Sequence, residues 1–215
     1  VTGANRGIGL ELCRQLARSG WRVTGLCRAN SGPPDLDGVE FHAGFDVTDA
    51  ASIQALAADL EPGSVDLLIN NAGILQGTSL EHLDLDSMRQ QFEVNTLGPL
   101  RVTQALLPAL SDGATVALIT SRMGSIADNT SGGSYGYRMS KAALNAAGKS
   151  LAHDLAPRGI KVATLHPGYV RTDMTGHNGL IDVEAAASGL LARIAEVTPE
   201  TSGTFWHANG DVLPW

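Results

Sequence analysis

The sequence predicts one α/β domain over residues 1–215, built on a doubly wound parallel sheet with helices on both faces. Three observations predict this fold. Short runs rich in β-branched residues alternate with longer stretches of helical periodicity, which is the pattern of βαβ units. A Gly-rich turn near the amino terminus opens directly into an amphipathic segment. The 215 residues are 43% hydrophobic and 17% charged, so the chain can bury a full core, and global disorder is excluded.

The change of periodicity along the chain sets the predicted elements. Strands are predicted over residues 22–27, 39–43, 65–70, 114–120, 160–166 and 204–207. Helices are predicted over residues 8–18, 50–60, 87–110, 135–155 and 183–194. The longest irregular stretches, residues 122–134 and 168–182, are candidate site loops, because long loops in compact domains often carry function.

The chain opens on Val1, Thr2 and Gly3, where the first strand of such a sheet should end. A Gly-rich turn needs a strand that feeds it from the interior of the sheet. We therefore expect the first strand to be truncated at the amino terminus, with a few residues missing upstream.

Composition limits the partners that the chain can have. A net charge of −7 leaves no basic stripe, which disfavours nucleic acid and membrane surfaces and favours small molecules or proteins. Cys13, Cys27 and the histidines match no ligand spacing, so no metal is expected. Without a disulfide framework, a signal peptide or an apolar run of roughly 20 residues, the sequence predicts a cytoplasmic protein.

Residues 2–9 form the Gly-rich turn, Thr-Gly-Ala-Asn-Arg-Gly-Ile-Gly. Small residues let the backbone approach a phosphate, and the amides and dipole of the following helix then face the anion. The spacing is neither the commonest dinucleotide fingerprint nor a P-loop, because Ile8, Gly9 and Leu10 stand where a P-loop needs Gly-Lys-Ser or Gly-Lys-Thr. Taken alone, the turn could also be an ordinary Gly-rich turn in a chain with 25 glycines.

Further motifs follow this turn in a fixed order. They are Asp46-Val47, Asn70-Asn71-Ala72-Gly73, Asn95, Ser121, Tyr137-x-x-x-Lys141, and Pro167-Gly168 with Val170 and Thr172. On these motifs and the turn Thr-Gly-x-x-x-Gly-x-Gly, the chain resembles the short-chain dehydrogenase/reductase family over nearly its whole length. The resemblance implies a Rossmann-type fold, a nicotinamide cofactor and oxidoreductase activity. The segment around residues 121–145 and the ending Leu213-Pro214-Trp215 look like the sniffer-type or C-factor-like carbonyl reductases.

The resemblance also implies a set of cofactor-binding residues. In the family, Asp46 and Val47 flank the adenine, Ala72 and Gly73 line the adenosine side, and Asn71 contributes largely to structure. The full predicted set is Gly3, Asn5, Arg6, Gly7, Ile8, Gly9, Arg28, Asp46, Val47, Asn71, Ala72, Gly73, Tyr137, Lys141, Pro167, Gly168, Val170 and Thr172.

Two arginines favour NADP(H) over NAD(H). An acidic residue about 20 residues beyond the glycines suits a ribose hydroxyl, whereas a cation suits a 2′-phosphate. Arg28 occupies that strand end, and Arg6 adds a second charge from within the turn. The alternative is that both are solvated surface charges.

Tyr137 and Lys141 form the predicted proton relay. They are four residues apart in a helical segment, so they project from one face, where an ammonium can stabilise a phenolate. Tyr135 competes for the phenol role, but Met139 stands four residues after it and carries no charge. We therefore assign Tyr137. Alone, this spacing would usually describe a solvated helix face.

Ser121 and Asn95 complete the predicted catalytic group. Ser121 ends an apolar strand at the carboxyl edge of the sheet, where its hydroxyl can hydrogen-bond a carbonyl oxygen. Ser125 is a fallback, because Ser121 is farther from Tyr137 than is usual in the family. By resemblance, Asn95 holds a helix kink and a water that joins Lys141 to solvent; the alternative is a hydrogen bond inside the helix.

Three functions remain open at this stage. The first is an NADPH-dependent reductase of aldehydes, ketones or quinones, with Tyr137 as proton donor. The second is a C-factor-like signalling protein that retains dehydrogenase chemistry. The third is an epimerase or dehydratase, disfavoured because no second substrate domain follows Gly168. Small residues in the helix over residues 135–155 also predict a homodimer or homotetramer, although they could instead pack within the subunit.

Overall fold

A computed structural model describes residues 1–28 and 35–215. Its strands are β1 (Val23–Cys27), β2 (Val39–Ala43), β3 (Val65–Asn70), β4 (Leu110–Ile119), β5 (Lys161–His166) and β6 (Phe205–His207). Its α-helices are α1 (Gly7–Arg18), α2 (Ala50–Asp59), α3 (Leu85–Phe92), α4 (Gly98–Ala105), α5 (Tyr135–Leu155) and α6 (Val183–Glu196). Short 3₁₀ turns span Arg122–Gly124, Ala156–Arg158 and Asp173–Thr175, and a π-helical turn spans Glu93–Leu97.

The strands form a parallel sheet in two parts joined by the amino-terminal residues. One part pairs β1 with β2, and the other has the order β3, β4, β5, β6. Val1 and Thr2 lie between them: Leu26 N donates to Val1 O at 2.8 Å, and Thr2 N donates to Ile69 O at 3.0 Å. Successive strands are therefore added on opposite sides of Val1 and Thr2, so the strand order reverses there. Open parallel sheets bind ligands at such a reversal.

Two apolar cores cover the two faces of the sheet. Alternate residues of β4 point in opposite directions, so Val116 and Leu118 join one core while Ala117 and Ile119 join the other. The first core is filled by side chains from α2, α4 and α5, and the second by side chains from α1 and α6. This arrangement confirms the predicted α/β fold with helices flanking a parallel sheet.

One predicted helix is wrong in extent. The helical periodicity over residues 87–110 predicted a single helix, but the structure has α3, the π-helical turn and α4, which ends at Ala105. Leu110 is instead the first residue of β4. The predicted strand over residues 114–120 is correspondingly too short at its amino end and one residue too long at its carboxyl end. Leu106 and Leu110 are both buried, so their spacing continued the helical pattern although the chain has changed to a strand.

Cys13 and Cys27 are buried free thiols, and burial raises the pKa of each. Across the described ranges, no helix has the length and apolar character needed to cross a membrane.

Candidate active site

The glycine turn requires glycine at specific positions. Gly3 and Gly7 have φ of 65° and 53°, in the left-handed region that disfavours other residues. Gly9 is needed for a different reason: a Cβ there would stand 2.2 Å from Gly3 O and 2.5 Å from Asn71 Nδ2. The first turn of α1 can therefore pack against the Gly3 backbone only without a side chain at this position.

The amino end of α1 fits an anionic group. Arg6 is the N-cap residue, and its side chain does not cap this helix. Leu10 N donates to Arg6 O, so the intrahelical bonds begin at Leu10 and the preceding amides point out of the helix end. Such an end, with its dipole, suits a pyrophosphate. The residues of the turn thus fit the dinucleotide that the sequence predicts.

Asn71 and Thr2 tie the turn to the end of β3. Asn71 Nδ2 donates to Thr2 O at 3.0 Å and to Gly3 O at 3.2 Å. Thr2 Oγ1 accepts from Asn71 N at 2.9 Å and from Ala72 N at 3.0 Å. Asn71 therefore holds the turn in place, which agrees with the largely structural contribution that the resemblance gave it.

The predicted adenine-side residues already have structural partners. The Asp46 carboxylate accepts from Thr48 N at 2.8 Å and from Thr48 Oγ1 at 2.7 Å. The Val47 side chain is buried, and a Cβ on Gly98 would stand 2.9 Å from its Cγ2. These contacts fix the connection between β2 and α2 and leave the Val47 side chain in the core.

The two predicted phosphate-reading arginines lie on different segments. Arg28 is exposed and directly follows β1, next to residues 29–34, which lie outside the described ranges. Arg6 is 67% exposed and forms a 3.0 Å ion pair with Asp173, which lies in the loop after β5. Asp173 also contacts His177 Nε2 at 3.1 Å. The Arg6 guanidinium therefore links the glycine turn to the 168–182 loop.

Ser121, Tyr137 and Lys141 meet at the carboxyl end of β4. All three are buried, with 7%, 7% and 4% of their surface exposed. The Ser121 hydroxyl lies near enough to the Tyr137 phenol to favour the ionised form of that phenol. Lys141 Nζ donates to Ile119 O at 2.9 Å and lies 5.8 Å from the centre of the Tyr137 ring. The structure thus brings a phenol, a hydroxyl and an ammonium into one buried group.

Burial acts on the two titrating groups in opposite directions. It raises the pKa of Tyr137, and the neighbouring Ser121 hydroxyl partly offsets this by favouring the phenolate. Burial lowers the pKa of Lys141 to about 8, because the charged ammonium is separated from water. The raised pKa keeps the Tyr137 phenol neutral, and the lowered pKa means that the Lys141 ammonium holds its proton less tightly than a lysine in water does.

The competing residues take other positions. Tyr135 is less buried than Tyr137 and is the first residue of α5. Met139, four residues later, is 57% exposed. The fallback hydroxyl of Ser125 donates to Trp215 O at 3.1 Å and accepts from Asp128 N. The geometry therefore favours Ser121 and Tyr137 over both alternatives.

Asn95 lies in the π-helical turn, where α3 passes into α4. Its Nδ2 donates to Ile74 O at 2.9 Å, and its Oδ1 accepts from Ile74 N at 2.8 Å. A Cβ on Gly73 would stand 3.3 Å from Asn95 Oδ1 and 3.7 Å from Lys141 Nζ. Asn95 is thus fully buried beside the Gly73 backbone and on the same side as the Lys141 ammonium. Its side chain bonds to a neighbouring segment, not within its own helix.

The loop after β5 begins with a turn that only glycine fits easily. Gly168 follows Pro167 with φ of 94°, and a Cβ there would stand 2.8 Å from Ile181 Cδ1. Val170 is buried and bridges to Ile181. Thr172 reaches the glycine turn, because a Cβ on Gly7 would lie 3.6 Å from Thr172 Cγ2.

Sequence reasoning missed two contributors to this region, Asp173 and the backbone carbonyl of Trp215. Both contacts join residues far apart along the chain: Arg6 and Asp173 are separated by 167 positions, and Ser125 and Trp215 by 90. No local pattern signals such pairings. The Leu213-Pro214-Trp215 ending indicated only a resemblance to one branch of a family.

Residues 1–180 match the sequence profile described as short chain dehydrogenase. The chain belongs to this family. A relative from Rhodococcus sp. (strain AD45), 1-hydroxy-2-glutathionyl-2-methyl-3-butene dehydrogenase, is 44% identical over 221 residues, covering 100% of this chain and 98% of its own. The C-signal of Myxococcus xanthus is 47% identical over 166 residues, covering 76% of this chain and 100% of its own.

Solved structures of short chain dehydrogenases share the fold along the whole chain. The carbonyl reductase Sniffer of D. melanogaster superimposes with a TM-score of 0.93 at 29% identity, covering 100% of this chain and 97% of its own. The NADPH-bound carbonyl reductase from chicken fatty liver gives a TM-score of 0.90 at 33% identity, with the same coverage. These findings confirm the predicted family and its likeness to sniffer-type and C-factor-like proteins.

The buried Lys141 predicts a specific pH dependence of stability. Its pKa is about 8 in the folded chain, against about 10.4 for an unfolded lysine. Between these values the unfolded state binds the extra proton, so the free energy of unfolding should rise with pH across that interval. Below pH 8 both states are charged and the full burial cost remains.

Urea unfolding of the wild type and Lys141→Met from about pH 7 to about pH 9.5 tests this. The rise attributed to Lys141 should be missing from the variant and retained in Lys149→Met, which removes an exposed lysine of the same helix. Parallel pH dependences for wild type and Lys141→Met would contradict the lowered pKa.

Proposed function

We propose that the protein is an NADPH-dependent carbonyl reductase that converts an aldehyde, ketone or quinone into an alcohol. The observation that carries the proposal is the buried group of Ser121, Tyr137 and Lys141 at the carboxyl end of β4. It lies on the sheet edge where the amino end of α1, which the Arg6 side chain does not cap, fits a dinucleotide. The chicken carbonyl reductase, which is described as NADPH-bound, supports the choice of chemistry and cofactor.

The three side chains divide the work on the carbonyl oxygen. Bound NADPH supplies the hydride to the carbonyl carbon. Tyr137 donates its phenolic proton to the oxygen as negative charge develops there. Ser121 hydrogen-bonds the same oxygen and holds it within reach of the phenol. Lys141 stabilises the phenolate that is left behind, because an opposite charge favours the ionised form.

Asn95 is proposed to help return the proton to Tyr137. Its amide and the Lys141 ammonium both border the Gly73 backbone, within 4 Å of the position that a Cβ would occupy. A water held between them would connect the ammonium with solvent. The lowered pKa of Lys141 suits this relay, because a proton held less tightly is passed on more readily.

Arg28 and Arg6 are proposed to bind the 2′-phosphate of the cofactor. Both are exposed; Arg6 lies in the glycine turn, and Arg28 follows β1, which bonds to that turn through Ala4 N and Leu26 O. Arg6 would have to exchange its Asp173 partner for the phosphate. With side chains 67% and 58% exposed, that pair is a surface ion pair of the kind that contributes about 0 to 1 kcal/mol, so the exchange is inexpensive.

Exposed apolar side chains on the two site loops favour substrates with an apolar body. Ile126 is 81% exposed, Tyr169 is 49% exposed and Leu180 is 76% exposed. Polar residues of the 168–182 loop are engaged elsewhere: Arg171 pairs with Asp182 at 2.6 Å, in addition to the Arg6–Asp173 pair. The loops therefore offer contact area more than charge, which fits a range of aldehydes, ketones and quinones.

A second candidate is a C-factor-like signalling protein that retains this chemistry. The 47% identity with the C-signal of M. xanthus favours it. The 44% identical dehydrogenase from Rhodococcus suggests that the reaction can also run as alcohol oxidation. NADPH turnover with simple carbonyls, measured beside NADP⁺ reduction with alcohols, separates an enzyme from a pure signalling protein and gives the preferred direction.

Replacing Arg28 should change the cofactor preference. The wild type should use NADPH better than NADH, and Arg28→Asp should lower kcat/KM for NADPH by roughly 10- to 100-fold, the loss expected for a charge-assisted hydrogen bond. Efficiency with NADH should change little. Arg22→Asp makes the same charge change in an exposed arginine before β1 and should be mild. Equal efficiency of the wild type with both cofactors would refute the assignment.

Removing the phenol should abolish most of the turnover. Tyr137→Phe deletes one hydroxyl, so carbonyl reduction should fall roughly 100- to 10,000-fold with little change in NADPH affinity. Steady-state kinetics and NADPH fluorescence titration measure the two quantities. Tyr135→Phe is the matched control, and Lys141→Met should impair both turnover and cofactor binding. Near-normal turnover in Tyr137→Phe together with loss in Tyr135→Phe would reverse the assignment.

We propose association into a homodimer or homotetramer through α4 and α5. Leu97, Leu100, Leu107 and Leu151 line a groove of about 370 Å³ between these helices. Ala146 on α5 is exposed, which leaves its small side chain accessible to a partner helix. Light scattering at micromolar concentration should give at least a dimer, and Leu100→Glu should shift it to the monomer. A monomeric wild type would contradict the proposal.

A further inference from the structure

The carboxyl-terminal residues fold back along β6. His207 N donates to Asp211 O at 2.8 Å, and Leu213 N donates to Phe205 O at 2.8 Å. The Trp215 ring then stacks on the Phe205 ring, with centroids 5.5 Å apart and an interplanar angle of 24°. Phe205 is fully buried, so Trp215 is held against a fixed part of the sheet.

The Trp215 carbonyl holds the loop that separates Ser121 from Tyr137. It accepts from Ser125 Oγ at 3.1 Å and from Ala127 N at 2.9 Å. Ser125 Oγ in turn accepts from Asp128 N at 3.1 Å. Two hydrogen bonds from neighbouring positions of one loop therefore end on a single carbonyl oxygen, which fixes the loop at this point.

A tight turn connects the Ser125–Ala127 part of the loop to Ser121. Gly124 N donates to Ser121 O at 2.8 Å, and Met123 N donates to Ser121 Oγ at 3.1 Å. On its other side the turn presses on α5: a Cβ on Gly124 would stand only 2.6 Å from the Lys141 carbonyl carbon. The turn after Ser121 is thus confined between the backbone of Lys141 and the Trp215 carbonyl.

We propose that Trp215 is a positioning residue, which keeps the Ser121 hydroxyl beside the Tyr137 phenol by holding the Ser125–Ala127 part of the loop. The proposal rests on the proposed reductase function. The contacts that carry this role join Trp215 to Phe205, Ser125 and Ala127, so it acts through Ser125 and the turn. Without the ring stack, the carbonyl would lose its fixed position and Ser121 would have more freedom relative to Tyr137.

Trp215→Ala tests the proposal on two independent measurements. The rate constant kcat for carbonyl reduction should fall by about tenfold while NADPH affinity stays within about twofold, because displacement of a catalytic hydroxyl by a fraction of an ångström impairs chemistry more than binding. The pKa of Tyr137 should also rise, since the neighbouring Ser121 hydroxyl favours the phenolate. Ultraviolet difference titration against Tyr137→Phe isolates this phenol. Trp215→Phe keeps an aromatic ring and should restore most of both properties.

Trp21→Ala is the matched control, because Trp21 is 44% exposed and Trp215 is 46% exposed. It should leave kcat and the Tyr137 titration unchanged. Ser125→Ala keeps the ring stack and removes one of the two bonds to Trp215, so it should lower kcat by about threefold. If Trp215→Ala does not fold, this variant decides the question: an unchanged kcat and titration overturn the proposal.

A purely structural role is the contrary outcome. It would lower the melting temperature of Trp215→Ala without changing kcat or the pKa of Tyr137, and that result would overturn the proposal. Absence of carbonyl turnover in the wild type would defeat the reductase function instead. In that case the Tyr137 titration still reports whether Trp215 positions Ser121, so the two failures remain distinguishable.

Discussion

The burial of the Lys141 ammonium is the constraint on which the site depends. A charge taken out of water is expensive unless it is partnered, and this one donates to Ile119 O from the middle of a long helix. The cost appears directly as a pKa lowered to about 8. Residues without side chains surround it: Gly73 lies beside Nζ, and Gly124 lies against the Lys141 backbone. The glycines allow α5 to lie close enough to the sheet for the ammonium to bond to β4 while it stands 5.8 Å from the centre of the Tyr137 ring.

The same close approach determines how the sheet edge is assembled. Gly9 packs on the Gly3 carbonyl, and Asn71 Nδ2 donates to that same carbonyl and to the carbonyl of Thr2. The glycine turn is thus held from β3, while the Ser121 hydroxyl, which we propose to be catalytic, is held from β4. Because β3 and β4 are neighbouring parallel strands, the two halves of the site are fixed relative to each other by the sheet itself.

Patterns that repeat locally predicted most of the fold. The strands over residues 39–43 and 65–70 and the helix over residues 135–155 coincide with the observed elements. The error over residues 87–110 arose where buried leucines kept a helical spacing after the helix had ended, and periodicity alone cannot separate a buried helix from a buried strand. For the site, the motifs identified Ser121, Tyr137 and Lys141, which the structure brings together. They could not name Asp173 or Trp215, because those contacts depend on where distant loops meet.

The π-helical turn at Glu93–Leu97 makes the position of Asn95 depend on chain length. A π turn accommodates one residue more than the same stretch of α-helix, so removing a residue from it would leave a regular helix. Each residue of an α-helix advances the chain by about 100°, and a deletion before Asn95 would swing its amide away from Ile74. Asn95 could then remain chemically intact and still be lost from the site. Insertions and deletions in this segment are therefore as informative as substitutions, because they move the residue without altering it.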